Sequence, residues 1–322
     1  MEVIQVFDRP APQSFYEVAG RLLFVESLDL RLRKLIVDLF AGWQLTPVTS
    51  SDRSPDIRIE FFCGDSPQQI PPNLEQFEVA EGGKCYTDRG DFYLALGDAV
   101  IHLENGAPVR VRVFLSDIPT GPLLARATSF AVCAALRRFG MFELHSAGMV
   151  HPESGKGVLI VGPSGSGKST LAMQLASAGW PYLSDDELLL NLVDGEVEAR
   201  GFRSFFAIRG AAELKTCFEP EAVFASGRSL SASPGVLLFT SLSGQQETKL
   251  NRLTQAESMT RLIRACPWAT YDTSIAGANL ELLSKLARQA TAFDLAAGRD
   301  LLALGRASDL LSRHAINAEG VG

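Results

Sequence analysis

Residues 162–169 read Gly-Pro-Ser-Gly-Ser-Gly-Lys-Ser, a G-x-x-x-x-G-K-[ST] run. The apolar stretch Gly157-Val158-Leu159-Ile160-Val161 precedes it, and a helical pattern from about Gly167 to Ala178 follows. Strand, glycine loop and helix in that order are the setting in which these residue types hold a triphosphate. Gly162, Pro163, Ser164, Gly165, Ser166 and Gly167 would turn the backbone so that its N–H groups face phosphate oxygens. Lys168 would place a point charge on the β- and γ-phosphates, and the Ser169 hydroxyl would reach a bound Mg²⁺. Thr170 completes the candidate phosphate-binding residues, and the helix behind them adds the positive end of its dipole.

One helix further on stands Tyr182-Leu183-Ser184-Asp185-Asp186, a short strand ending in two carboxylates. Ligands of open α/β sheets bind at the carboxyl ends of strands. Transfer of a phosphoryl group to an alcohol needs a base for the hydroxyl proton and an oxygen ligand for Mg²⁺. Adjacent carboxylates point in different directions and can divide those roles. His145, in Leu144-His145-Ser146-Ala147-Gly148, opens the strand before the loop and is a third candidate. His151 lies in a turn and reads as exposed and inert; His102 and His314 have no informative context.

These residues need a scaffold, and 322 residues supply enough chain for two domains or one large one. Hydrophobic residues make up 46% and charged residues 21%, which suits a globular protein with a buried core. A net charge of −7, spread along the chain, argues against general nucleic-acid binding. Cys63, Cys85, Cys133, Cys217 and Cys266 are odd in number and widely spaced, so neither a disulfide framework nor a structural zinc site is expected. Met1–Gln5 carries no basic and apolar leader pattern, and the longest apolar stretch, near Pro122–Leu136, is interrupted by Arg126, Thr128 and Ser129. A cytoplasmic protein with no membrane partner is the expectation.

The first 120 residues read as a small α+β domain. A strand over Arg21–Glu26 leads to a helix from Leu28 to about Ala41, with Ser27 as its cap and Leu28, Leu32, Leu35, Ile36 and Leu39 on one face. Leu45–Pro55 reads as a loop, Ile57, Ile59 and Phe61 as the inner face of a strand, and Gly64–Asn73 as a second loop. Phe92–Leu96, Val100–Leu103 and Val109–Phe114 form an antiparallel meander. A linking helix spans residues 121–140. The nucleotide domain, 141–322, then has strands at Leu144–Val150, Gly157–Val161 and Pro181–Ser184, and a hairpin about Asp194-Gly195. A buried strand at Val236–Thr240 follows, then a capping box Thr254-Gln255-Ala256-Glu257 and helices near Asn279–Thr291 and Arg299–His314.

From His145 to Asp186 the chain resembles the catalytic domain of HPr kinase/phosphorylase and its relatives. Those proteins combine a histidine at a strand start, a phosphate loop of this form, a helix ending in glycine and a strand ending in Asp-Asp. The resemblance implies a P-loop α/β domain with a mixed sheet related to that of phosphoenolpyruvate carboxykinase, here preceded by the small α+β domain. It further implies Asp185 as general base, Asp186 as its acidic partner near the metal, and His145 as a residue tuning that base. A second family signature, Glu-Ile-Arg-Gly-hydrophobic-Gly, is incomplete here. Ile208-Arg209-Gly210 is kept, but Ala207 replaces the acid and Ala212 the last glycine, which weighs against phosphorolysis. Arg209 is either a residue near the phosphates or a solvated arginine at a turn, and Lys215 reads as an ordinary surface lysine before it reads as a phosphate contact. Family precedent also implies a homo-oligomer.

The reading these features favour is an ATP- and Mg²⁺-dependent kinase acting on a hydroxyl of a protein, a peptide or a small molecule. A nucleotide-binding regulatory or scaffold protein would not need the intact Asp185. A plain ATPase would be expected to carry an acid after the apolar strand Val236–Thr240, where Ser241 stands.

Overall fold

The computed structural model describes residues 15–49, 53–64, 70–71, 74, 76–79, 83–88, 90–119, 122–209, 215–303 and 305–313. Met1–Gln5, most of the Gly64–Asn73 loop, and His314 therefore lie outside the described residues. The chain divides into two compact units. One runs to Met141 and takes in Trp268–Gly277; the other comprises Phe142–Pro267 and the chain from Ala278 on.

The first unit is built on a nine-stranded mixed sheet. Its elements are β1 (Phe15–Val18), β2 (Arg21–Ser27), α1 (Leu30–Phe40), β3 (Thr46–Val48), β4 (Ile57–Cys63), β5 (Gln76–Val79), β6 (Gly83–Asp88), β7 (Asp91–Leu96), β8 (Ala99–Glu104), β9 (Val109–Leu115) and α2 (Leu123–Arg137). The strand order is β3-β1-β2-β4-β9-β8-β7-β6-β5. β2, β4 and β9 run parallel, and the meander β5–β9 is antiparallel. Alternation explains the pairing: Ile57, Ile59 and Phe61 of β4 and Val109, Val111 and Val113 of β9 are buried, while Arg58, Glu60, Arg110 and Arg112 take the other face. Small residues on α2 (Ala127, Ala131, Ala135) let it pack closely on β8 and β9.

Three local expectations change. Asp29, not Ser27, caps α1 by accepting the Arg31 and Leu32 N–H groups. The buried face of α1 is Leu32, Ile36 and Phe40, and Leu28 and Leu35 are exposed. Part of the expected Leu45–Pro55 loop is the edge strand β3, where Pro47 is tolerated because an edge leaves one row of amides unpaired.

The second unit contains β10 (Phe142–Leu144), β11 (Ser146–Val150), β12 (Gly157–Val161), α3 (Lys168–Ser177), β13 (Tyr182–Ser184), β14 (Leu188–Val193), β15 (Glu196–Gly201), β16 (Phe206–Arg209), β17 (Lys215–Phe218), α4 (Pro220–Val223), β18 (Ser231–Ala232), β19 (Pro234–Leu242), β20 (Lys249–Arg252), α5 (Gln255–Ala265), α7 (Thr273–Gln289, from Ala278 on), β21 (Thr291–Ala297) and α8 (Arg306–Leu311). The short helix α6 (Trp268–Tyr271) belongs to the first unit. A six-stranded mixed sheet has the order β13-β11-β12-β19-β21-β20, and a four-stranded antiparallel sheet the order β10-β14-β15-β18. β12, β19 and β21 run parallel, whereas β11 is antiparallel to both β12 and β13. α3 packs on β11 and β12 through Leu171, Ala172, Leu175 and Ala176 against Ala147, Met149, Val158 and Ile160. Each fully buried branched side chain there contributes about 1.5–3 kcal/mol of apolar transfer energy.

The molecule is thus a mixed α/β protein. The capping box at Thr254 forms as expected, with Thr254 and Glu257 exchanging bonds. All five cysteines are free. No described helix is long and apolar enough to cross a membrane. His151, expected at the surface, is buried: its Nδ1 accepts the Ser154 N–H, its Nε2 lies 3.4 Å from Ser312 Oγ, and its ring meets Trp180 edge-on. Burial pulls its pKa below the ordinary histidine value.

Candidate functional site

β12 delivers the chain to Gly162 at its carboxyl end. Only glycine fits there, since a Cβ would stand 2.5 Å from Ser166 Oγ and 2.8 Å from the Thr240 carbonyl. Ser166 Oγ in turn meets Thr240 Oγ1 at 3.1 Å, and Thr240 Oγ1 donates to the Val161 carbonyl. The loop is therefore pinned to β19. Gly167 takes a left-handed φ of +93° and enters α3 with no side-chain cap. The first amides of α3 are left to other acceptors, and the positive end of the helix opens on a cavity of about 590 Å³.

Lys168 is the first residue of α3 and is buried. Its Nζ donates to the Gly162 carbonyl at 2.8 Å, the Pro163 carbonyl at 3.2 Å and His145 Nε2 at 3.1 Å. These contacts occupy the three donors of an ammonium. Burial draws its pKa below the ordinary lysine value, while Asp186 and Asp185 pull the other way.

The histidine and the carboxylates come together through topology. β10 belongs to the four-stranded sheet and β11 to the six-stranded one, and His145 is the single residue between them. It does not open one long strand, as the sequence suggested; it occupies the break between two. The chain makes the reverse passage at Asp185-Asp186-Glu187, from β13 in the larger sheet to β14 in the smaller. Leu144 pairs with Leu188, so the two crossings lie side by side. His145 Nδ1 sits 3.3 Å from Asp186 Oδ1. With Nε2 accepting from the lysine, the Nδ1–H tautomer faces the carboxylate, giving a Lys168–His145–Asp186 chain.

The paired aspartates differ in environment. Asp186 is half exposed, whereas Asp185 is buried at 3%. The Tyr182 hydroxyl lies 3.4 Å from Asp185 Oδ1 and 3.1 Å from the Phe205 carbonyl, and burial drives its pKa well up. Behind them Arg203 donates through Nε and Nη2 to Glu187 Oε2 at 3.1 and 2.8 Å. Burial raises the Glu187 pKa and Arg203 opposes the rise.

The cavity brings together His145, Ser164–Thr170, Asp185 and Asp186 on its polar side. Thr240, Gln174 and Arg299 also line it, as does an apolar wall of Leu242, Leu295, Leu301 and Leu302. The sequence did not point to these; Gln174 comes with α3, and the others arrive with β19, β21 and the 3₁₀ turn Arg299–Leu302. Arg209 and Lys215 are backbone partners at one end of the β16–β17 hairpin, and residues 210–214 lie outside the described ones. Among the described residues, no cluster of three His, Cys, Asp or Glu could hold a metal ion.

No family model matches the chain, and no curated protein matches it. Among solved structures, 30% of the chain is similar to the HPr(Ser) kinase/phosphatase from Coxiella burnetii, at 19% identity and a TM-score of 0.27. The chain covers 58% of that protein's length.

Proposed function

We propose that the second unit is a P-loop kinase domain of the HPr-kinase kind, with a sheet of the phosphoenolpyruvate carboxykinase type, that transfers the γ-phosphoryl group of ATP to a hydroxyl. The observation that carries the reading is one cavity lined by both the amino-terminal turn of α3 and the Asp185-Asp186 pair. The loop amides and Lys168 would hold the phosphates. To reach a phosphate oxygen Lys168 gives up one of its three present acceptors. Asp185 would take the proton of the acceptor hydroxyl as its oxygen bonds to phosphorus and the bond to the diphosphate breaks. His145, tied to Lys168 and Asp186, would position both.

Ser169 and Asp186 line the same cavity and offer hard oxygen donors, which fits Mg²⁺, an ion that takes few protein ligands and completes its shell with water and phosphate. Bound there, it would neutralise phosphate charge. The acceptor would be a protein, peptide or small-molecule hydroxyl.

The test is incubation with γ-labelled ATP and fractionated lysate, with wild type and Asp185→Asn compared. Transfer of label to protein or to a small molecule is expected, with the variant keeping nucleotide binding and losing about 10²–10⁴ in rate. Free phosphate alone would indicate an ATPase, and binding without turnover a regulatory protein. Wild-type transfer by Asp185→Asn would remove Asp185 as base.

A further inference from the structure

We infer, on the transfer reading above, that Arg203 is a positioning residue for the aspartate pair and acts on it through Glu187. Residues 185–187 lie between the end of β13 and the start of β14, outside both strands. β13 and β14 belong to different sheets, so neither strand ladder fixes the backbone that carries the carboxylates. Groups that must be held to a fraction of an ångström need a support of their own in such a place.

The support is the segment that follows β15. The Phe202 amide donates to the Glu187 carbonyl at 3.3 Å, and Arg203 places Nε and Nη2 on Glu187 Oε2 at 3.1 and 2.8 Å. Glu187 is thus held through main chain and side chain together. Two residues further on, the Phe205 carbonyl accepts the hydroxyl of Tyr182, which also stands 3.4 Å from Asp185 Oδ1. Residues 202–206 therefore grip the chain on both sides of Asp185-Asp186. The segment is itself anchored. Phe202 and Phe206 are fully buried, and Arg228 Nη2 donates to the Ser204 carbonyl at 2.7 Å.

Charge adds to the grip. Glu143, on β10, and Asp186 repel the Glu187 carboxylate, and Arg203 attracts it. Loss of the guanidinium frees Glu187 to turn away, and the adjoining Asp186 turns with it. Asp186 stands 3.3 Å from His145 Nδ1, so the imidazole shifts as well. The phosphate loop is built instead on β12, β19 and α3, so nucleotide binding should survive.

The test compares three quantities in the full chain: the rate of label transfer from γ-labelled ATP to the lysate fraction that wild type labels, at saturating ATP; the ATP Kd by calorimetry; and Tm. Arg203→Met, at a side chain 26% exposed and so open to water, should fold. It should transfer about tenfold to a hundredfold more slowly, the cost of misplacing a reacting group by about 1 Å, with an ATP Kd within about threefold of wild type. Arg203→Lys keeps the charge without the two-nitrogen grip and should recover part of the rate. Glu187→Met combined with Arg203→Met removes both charges at once, an exchange that buried pairs tolerate, and should fold yet stay slow. A pair that merely stabilises the fold would lower Tm and leave the rate of the folded protein unchanged. Wild-type transfer by a folded Arg203→Met or by the double variant would overturn the inference, as would Arg203→Lys no faster than Arg203→Met, or a Kd that weakens in step with the rate. Failure of the double variant to fold would make the pair structural and overturn it too. Wild type that binds ATP and labels nothing would remove the transfer reading, and the inference with it.

Discussion

Replacing Lys168 with methionine separates a ligand-binding lysine from a structural one. The ammonium is buried and makes three hydrogen bonds inside the protein, so on contact counting alone its loss should unfold the loop. The structure says otherwise. Gly162 is half-buried and Pro163 exposed, so water can take over their carbonyls. Methionine keeps the stem's length and removes a charge that burial already disfavours. The stability change should therefore stay within about 1–2 kcal/mol, a shift of a few degrees in Tm. Binding is a different matter. A charge about 4 Å from a phosphate at an effective dielectric near 20 is worth about 4 kcal/mol. Surrendering one internal hydrogen bond takes back about 1 kcal/mol. The net, about 3 kcal/mol, is on the order of 10² in Kd. Thermal melting and calorimetric titration with ATP give both numbers. A variant that binds within threefold of wild type, or that melts more than about 10 °C lower, would refute the reasoning.

Gly162→Ala should cost about 1–3 kcal/mol by overpacking against Ser166 and Thr240, and should weaken phosphate binding in proportion as the loop shifts; unchanged melting and binding would show that the loop yields freely. Thr254→Ala should cost about 1 kcal/mol through loss of the capping box while leaving nucleotide binding intact, read by urea unfolding and titration. Because burial depresses the His151 pKa, the unfolded chain binds the extra proton first. Stability should hold above about pH 6.5, the ordinary histidine value, and fall as pH drops through the lower folded value. A His151→Gln variant that loses as much stability on acidification would assign the effect elsewhere.

Which features the sequence disclosed follows from how contacts are made. β12, the glycine loop and α3 are consecutive, so each residue's local neighbours already specified the turn and its helix. The meander and the Thr254 cap were legible for the same reason. Thr240 was not, because its bond to Ser166 spans 74 residues and exists only once β19 lies beside β12. β21 was hidden as well: Thr291–Ala297 is alanine-rich and continues the apolar pattern of α7, and parallel pairing with β19 makes it a strand. His145 was singled out from the sequence and the structure brings it beside Lys168 and Asp186, but its setting was not legible, since a one-residue gap between strands of different sheets leaves no mark on a periodic pattern. The N-cap of α1 was misplaced by two residues because Ser27 and Asp29 are both good caps, and only backbone geometry chooses.

The paired crossings at His145 and at Asp185–Glu187 bear on how the protein matures. Each residue is held from both sides by strands that belong to different sheets. Neither sheet alone fixes the distance between imidazole and carboxylate. On the reading proposed above, a species with α3 and the larger sheet formed but the smaller sheet unregistered would bind phosphate without being able to align a base. Recovery of transfer should therefore lag recovery of binding, so that turnover reports the completed molecule.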